Sequence, residues 1–177
     1  MPKSLASGHR RVTIMTTKPT SLAAPTVAEL NAGLHASCRI LADGYTLGPG
    51  SSETVEEGSL CDEITPKVMT NGTWDDGTLT VFRYFDETNP GTAETTGVGD
   101  EIGDAVFQAL KTRGARVWLA DRFTGKKATE AWAATDEVRV FEVQPDAWRQ
   151  AEASGYIKAE VPLVVAGGEI NATVAAA

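Results

Sequence analysis

The sequence predicts a mainly β domain: an antiparallel β-sandwich or barrel flanked by one α-helix. Three observations carry that expectation. Seven segments of the 177-residue chain read as strands, at 11–17, 35–42, 77–86, 116–123, 137–143, 156–165 and 169–176. Sustained helical spacing occurs in one stretch, about 100–112. Hydrophobic residues make up 42% of the chain, enough for one core and one domain over 1–177.

The elements follow in order. Residues 1–25 read as an N-terminal arm containing the strand RVTIMTT, with Val12 and Ile14 on one face, and the linker KPTSLAAP. In TVAELNAG, Thr26 is positioned to cap a short helix, Glu29 stands three residues later, and Gly33 ends it. HASCRILA reads as a strand with Cys38 and Ile40 on one side. Residues 43–76 are acidic and turn-rich and read as a long inserted loop, with a short hairpin around Glu53–Leu60. GTLTVFRYFD is the strongest strand, β-branched and aromatic on both faces, which places it mid-sheet or against a partner. In YIKAEVPLVV, Ile157, Ala159, Val161 and Leu163 alternate against Lys158 and Glu160; Pro162 predicts an edge or a bulge there.

GVGDEIGDAVFQALKTRG, residues 97–114, invites a cofactor reading. Gly97, Gly99 and Gly103 approach the glycine spacing of a dinucleotide turn. That turn requires a strand directly before it, and thirteen polar residues stand there instead. Asp100, Glu101 and Asp104 would repel a pyrophosphate, whereas they complement the positive end of a helix dipole. Ile102, Val106, Ala109 and Leu110 form an apolar stripe, so the stretch reads as an amphipathic helix closed by Gly114, with no cofactor.

No catalytic motif is present: there is no GxSxG, HExxH or GxxxxGK[ST]. Two histidines and two cysteines fit no zinc spacing, and Cys38 and Cys61 read as small core or strand residues. The four tryptophans are scattered and read as core or interface anchors. No apolar run reaches the ~20 residues of a membrane span, and the N-terminus lacks a signal-peptide stretch, so the expectation is a chain that stays in the cytosol or in an assembly built there.

Charge is unevenly spread. Residues 1–42 carry net +4, residues 43–104 net −12, and the remainder balances, for −8 overall. An acidic chain without a basic patch does not wrap nucleic acid. The asymmetry suggests a contact between copies, in which Arg10, Arg11 and Lys18 meet acids drawn from Glu53, Glu56, Glu57, Asp62 and Glu63 across a subunit or ring boundary.

Several stretches carry a resemblance: TTKPTSLAAPTVAELNAGLHASCRILADGYTLG (16–48), SLCDE (59–63), GTLTVFRYFDE (77–87) and GYIKAEVPLVVAGG (155–168). In this order and spacing the chain resembles the major tail tube proteins of long-tailed, siphovirus-type phages of actinobacteria, from about residue 12 to the C-terminus. The resemblance implies a tail-tube-like sandwich with a helix, in which six copies join their sheets into a ring around a continuous β-barrel. It also implies rings stacked into the conduit for genome ejection, with no catalytic residues. Implied partners are further copies of the chain, the tape measure protein, and the tail terminator and tip proteins. DNA would pass without specific binding. The implied location is the virion tail, assembled in the host cytoplasm. Some members carry an extra immunoglobulin-like domain after the tube domain; with the sequence running to Ala177, none is expected here. The competing expectation is a monomeric immunoglobulin-like decoration or adhesion module, which would share the β-richness and the missing motifs.

Overall fold

The structure, a computed structural model, describes residues 7–61, 63–95, 102–152 and 154–176. Strand β1 is Arg10–Met15; helix α1 is Val27–Ala32; β2 is Leu34–His35; a 3-10 turn spans Ser37–Arg39; and β3 is Ile40–Pro49. Then come β4 (Thr54–Glu56), β5 (Lys67–Met69), β6 (Trp74–Phe82), α2 (Ala105–Leu110), β7 (Val117–Phe123), β8 (Glu137–Pro145), β9 (Arg149–Gln150) and β10 (Lys158–Thr173).

One antiparallel sheet runs β2-β1-β7-β8-β10-β6-β3, with β9 pairing onto β10. It curls into a half-barrel, the mainly β architecture expected. Strands β4 and β5 form a separate two-stranded sheet. The inner face of the curl holds the larger core: Val12, Ile14, Leu79, Val81, Leu119, Phe141, Val143, Val161 and Leu163, closed by Val106, Phe107 and Leu110 of α2. The opposite face of β1, β7 and the first half of β8 holds a second core under α1: Leu30, Trp118, Trp132, Val138 and Val140. Side chains alternate between faces at period two, so one strand feeds both cores.

Local signals explain α1. Thr26 Oγ1 accepts from the Glu29 amide at 3.2 Å, and the Glu29 carboxylate accepts from the Thr26 amide at 2.8 Å, a complete capping box. The same carboxylate accepts from the Thr20 amide and hydroxyl. The Thr26 and Thr20 amides draw its pKa down to about 2.

Several expectations are corrected. The strand expected within the 1–25 arm is present as β1, but it is paired on both sides, by β2 and β7, so this part of the arm is built into the sheet. The strand expected at 35–42 is broken by the 3-10 turn, because Ala36 donates to Val12 O and Arg39 to Ala36 O. Part of the loop expected at 43–76 is sheet: β3 runs to Pro49, and β6 begins at Trp74. The hairpin is wider than Glu53–Leu60, pairing Thr54–Glu56 with Lys67–Met69. Both cysteines are exposed, unpaired thiols and not core residues, since Cys38 lies on the 3-10 turn and Cys61 on the hairpin loop.

The strands expected at 156–165 and 169–176 are one strand, β10, whose register against β8 shifts between Val165 and Gly167. Gly168 sits where a Cβ would stand 2.7 Å from the Val140 carbonyl oxygen, so the backbone approaches too closely there for a side chain. Pro162 lies mid-sheet at a position needing no N–H. Pairing with β8 stops at Leu163–Pro145, and the Pro162 carbonyl takes the Asp146 amide beyond it.

Helix α2 is shorter than expected, and Gly97, Gly99, Asp100 and Glu101 lie outside the described residues. Gly103 has φ of +51° with the Glu94 carbonyl 2.5 Å from where a Cβ would be, a steric reason for glycine. Asp104 is buried, and its carboxylate accepts from Arg83 (2.9 Å), the Tyr84 amide (3.0 Å) and Gln108 (2.8 Å). It ties α2 to the end of β6.

Candidate assembly interface

Antiparallel order divides the sheet into two poles. At one pole lie Pro49 of β3, Trp74 of β6, Arg10 of β1 and Phe123 of β7. At the other lie Ile40, Phe82, Pro145, Val117, Met15 and Lys158. The β4–β5 hairpin leaves from the first pole as a 50–73 arm. Among its described residues, every one from 51 to 73 is exposed. Backbone bonds from Gly50 to Thr73, Glu53 to Asn71 and Thr70 to Glu53 hold its base. It carries five carboxylates against one lysine, net −4. It also bares large apolar side chains: Val55, Leu60, Ile64, Val68 and Met69. Leu60 is 108% exposed and Ile64 84%, which a body-packed loop would not show.

The residues expected to pair between copies divide cleanly. Glu53, Glu56, Glu57 and Glu63 are exposed on the arm. Glu56 pairs with Lys67 at 2.7 Å and Glu53 accepts from Asn71 at 3.3 Å, both within the arm. Asp62 lies outside the described residues. Arg10 and Arg11 are committed to their own chain. Arg10 holds the buried Asp121 in a two-pronged contact at 2.7 and 3.1 Å, and its guanidinium lies 3.9 Å from the Tyr45 ring centre. Burial works against that cation, but Asp121 outweighs it, and the net pKa is raised. Arg11 is buried and donates to the carbonyls of Ala128 and Glu130. Both sit at the arm's own pole. Lys18 is exposed at the opposite pole and makes no ion pair among the described residues.

A feature not foreseen from the sequence lies at that opposite pole. Phe82, Tyr84, Tyr156 and Ile157, with Cys38 and Arg83, line an open cleft of about 370 Å³. Phe82 and Tyr156 meet edge to face at 5.9 Å, and Tyr156 and Ile157 are 80% and 58% exposed. The Arg39 guanidinium lies 4.1 Å from the Tyr84 ring centre and makes no ion pair among the described residues. The sequence signal was the aromatic and aliphatic pair in GYIK, which strand alternation assigned to a half-buried pattern.

The remaining open surfaces belong to the sheet. Among the described residues, strand β3 has no partner strand on its outer edge. The face opposite the main core is uncovered over β3, β6, β10 and the end of β8, showing Thr46, Thr78, Glu142, Gln144, Glu160, Pro162 and Val164. Its carboxylates are matched by Arg116 to Glu142 at 3.2 Å and Arg149 to Glu160 at 2.5 Å. Among the described residues no group of three or more His, Cys, Asp or Glu side chains could hold a metal ion, and no helix is long and apolar enough to cross a membrane.

Comparison with known proteins gives one structural and one family relationship. A chain from the cryo-EM structure of the anti-feeding prophage (AFP) baseplate, 6-fold symmetrised, is similar over 96% of both chains, with a TM-score of 0.50 and 9% identity, a likeness of fold. No curated protein matches. The family model described as phage tail tube protein matches residues 1–177, the whole chain. The half-barrel with its open strand edge and protruding hairpin is therefore that of a tail structural protein, and the chain belongs to the phage tail tube protein family.

Proposed function

We propose that copies of this chain join β3 edges to neighbouring sheets, close into six-membered rings, and stack as the tube through which a siphovirus-type genome is ejected. The family match over all 177 residues carries this reading. Support comes from the unpaired edge of β3, which a protein acting alone would blunt, and from a similar fold in an assembly described as 6-fold symmetrised. The chain is a structural protein in this reading, with no catalysis and no cofactor. Its partners are its own copies, the tape measure protein and the terminator and tip proteins. It acts in the virion tail after assembly in the host cytoplasm.

The uncovered face of β3, β6, β10 and β8 becomes the lumen wall. Its threonines, glutamine and internally paired charges give a neutral to acidic surface. A basic wall would release counterions from the phosphates and grip the DNA. The arm's acids, Glu53, Glu56, Glu57, Asp62 and Glu63, face a neighbouring copy, with Lys18 at the far pole among the cations they can meet.

Negative-stain microscopy and sedimentation of the purified chain test the proposal. Rings or tubes of uniform width support it. Small featureless particles at every concentration and salt level refute it and favour the monomeric decoration module.

A further inference from the structure

We infer that the acidic arm of one copy seats in the Phe82–Tyr84–Tyr156–Ile157 cleft of the next copy along the stack, so that each boundary is a plug and socket. This rests on the tube reading above. Three observations point to it. First, plug and socket stand at opposite ends of the same strand: β6 begins at Trp74, where the arm returns, and ends at Phe82, which lines the cleft. Nine residues at ~3.3 Å each separate them by roughly 25 Å. A feature at one pole and its complement at the other define a head-to-tail contact that repeats without closing on itself, as a stack requires.

Second, the surfaces match in polarity. The arm bares Leu60 and Ile64 beyond any contact with its own body, and the cleft bares Tyr156 and Ile157. Burying the four side chains against each other removes apolar surface from water on both sides. Third, the charges are complementary. The arm is net −4. Arg39, Lys158 and Lys18 belong to the cleft pole and make no ion pair among the described residues. Arg83, also in the cleft wall, is already held by Asp104 at 2.9 Å and serves as scaffold. Arg10 and Arg11, at the arm's own pole, have no place in such a contact.

The two cysteines supply the probe. Cys61 is exposed on the arm and Cys38 is exposed in the cleft wall. Docking brings Cys61 of one copy beside Cys38 of the next. A short bis-maleimide joins them when each thiol adds across a maleimide double bond, with no oxidant and no leaving group. Because every copy carries one thiol at each pole, head-to-tail linkage yields a ladder extending past dimer on a denaturing gel.

The experiment treats assembled wild-type protein, Cys38→Ser and Cys61→Ser with the reagent, then maps linked peptides by mass spectrometry. The expected result is a wild-type ladder containing a Cys38–Cys61 peptide and no ladder in either variant. Tubes that form but yield no Cys38–Cys61 peptide, or only Cys61–Cys61 dimers, overturn the docking and leave the tube reading standing. Failure of the wild type to assemble under any condition overturns both. A second variant, Leu60→Asp with Ile64→Asp, alters exposed residues alone. It is expected to keep the wild-type unfolding curve and raise the protein concentration needed for tube growth about tenfold or more. An unchanged threshold also overturns the docking.

Discussion

Replacing Arg122 by Ala should be among the costliest single substitutions in the chain. The side chain is fully buried on β7. One terminal nitrogen donates to the Ala131 carbonyl at 3.1 Å and the Asp136 carboxylate at 2.8 Å. The other donates to the carbonyls of Lys127 and Glu130 at 2.9 and 2.8 Å. Its guanidinium lies 5.2 Å from the ring centre of Trp132, whose indole N–H donates to Thr13 at 2.9 Å. The connection between β7 and β8 is thus wound around one cation. Truncation leaves three carbonyls and a carboxylate without that donor. Lys126 and the Ala133 amide still serve Asp136, which limits the loss there. Breaking a buried pair from one side costs about 3–5 kcal/mol, the range we expect, against a total stability of about 5–15 kcal/mol. Arg122→Lys keeps the charge but not the fork, and should recover less than half of the loss. Urea unfolding followed by tryptophan fluorescence reads both variants, since Trp132 reports on the loop. A cost below about 1 kcal/mol for Arg122→Ala would refute the reasoning, because it would mean the loop's carbonyls find water at no expense.

Other expectations are as concrete. Leu110→Ala, fully buried under the sheet, should lower stability by about 2–4 kcal/mol in the same assay, while leaving the arm's proteolysis pattern unchanged. Glu29→Ala should cost about 1 kcal/mol by removing the capping box. The Glu29 pKa is depressed from 4.5 to about 2, so its contribution is complete above pH 4.5 and vanishes as the pH falls through about 2. The difference between wild type and Glu29→Ala should therefore close over that window; a constant gap would count against the assignment. Lys18→Glu, on an exposed cation, should raise the assembly threshold at low salt and have little effect at high salt, with folding unchanged. Identical salt curves for the two proteins would remove Lys18 from the boundary. By contrast, Arg11→Glu should fail to fold stably, because it buries a carboxylate beside two carbonyl oxygens.

Signals confined to one segment were legible in the sequence. Thr26 and Glu29 stand three apart and cap each other, so α1 could be placed from local chemistry. The segments of β6, β7 and β8 are rich enough in β-branched and aromatic residues to read as strands without their partners. What failed depends on pairing. Gly167 and Gly168 read as a break between strands, yet β8 supplies a continuous ladder that carries the chain through with a bulge. Pro162 read as an edge signal, yet the neighbouring strand ends just where its N–H is missing. Residues 10 and 11 read as cations for a contact between copies, yet Asp121 and the carbonyls of the β7–β8 connection claim them from more than a hundred residues away. The exposure of the arm's acids was legible because the segment is turn-rich and its short apolar pairs are too few to build a core over them. The cleft was not, since Phe82, Cys38 and Tyr156 come from three separate segments and meet through the register of β3, β6 and β10.

The arm's own architecture has a kinetic consequence. Among the described residues its small sheet holds three residue pairs, with no third strand and no core beneath it. An isolated two-stranded ribbon is marginally stable in water. Most of the entropy needed to fix about twenty residues is then lost at the moment of docking and must be offset by the contact itself. Two lone subunits gain one contact for that loss. In the proposed tube, a subunit landing on a completed ring gains a lateral edge and a socket together. Growth on an existing end is then favoured over spontaneous initiation, so purified protein should assemble only after a concentration-dependent lag that added tube fragments shorten.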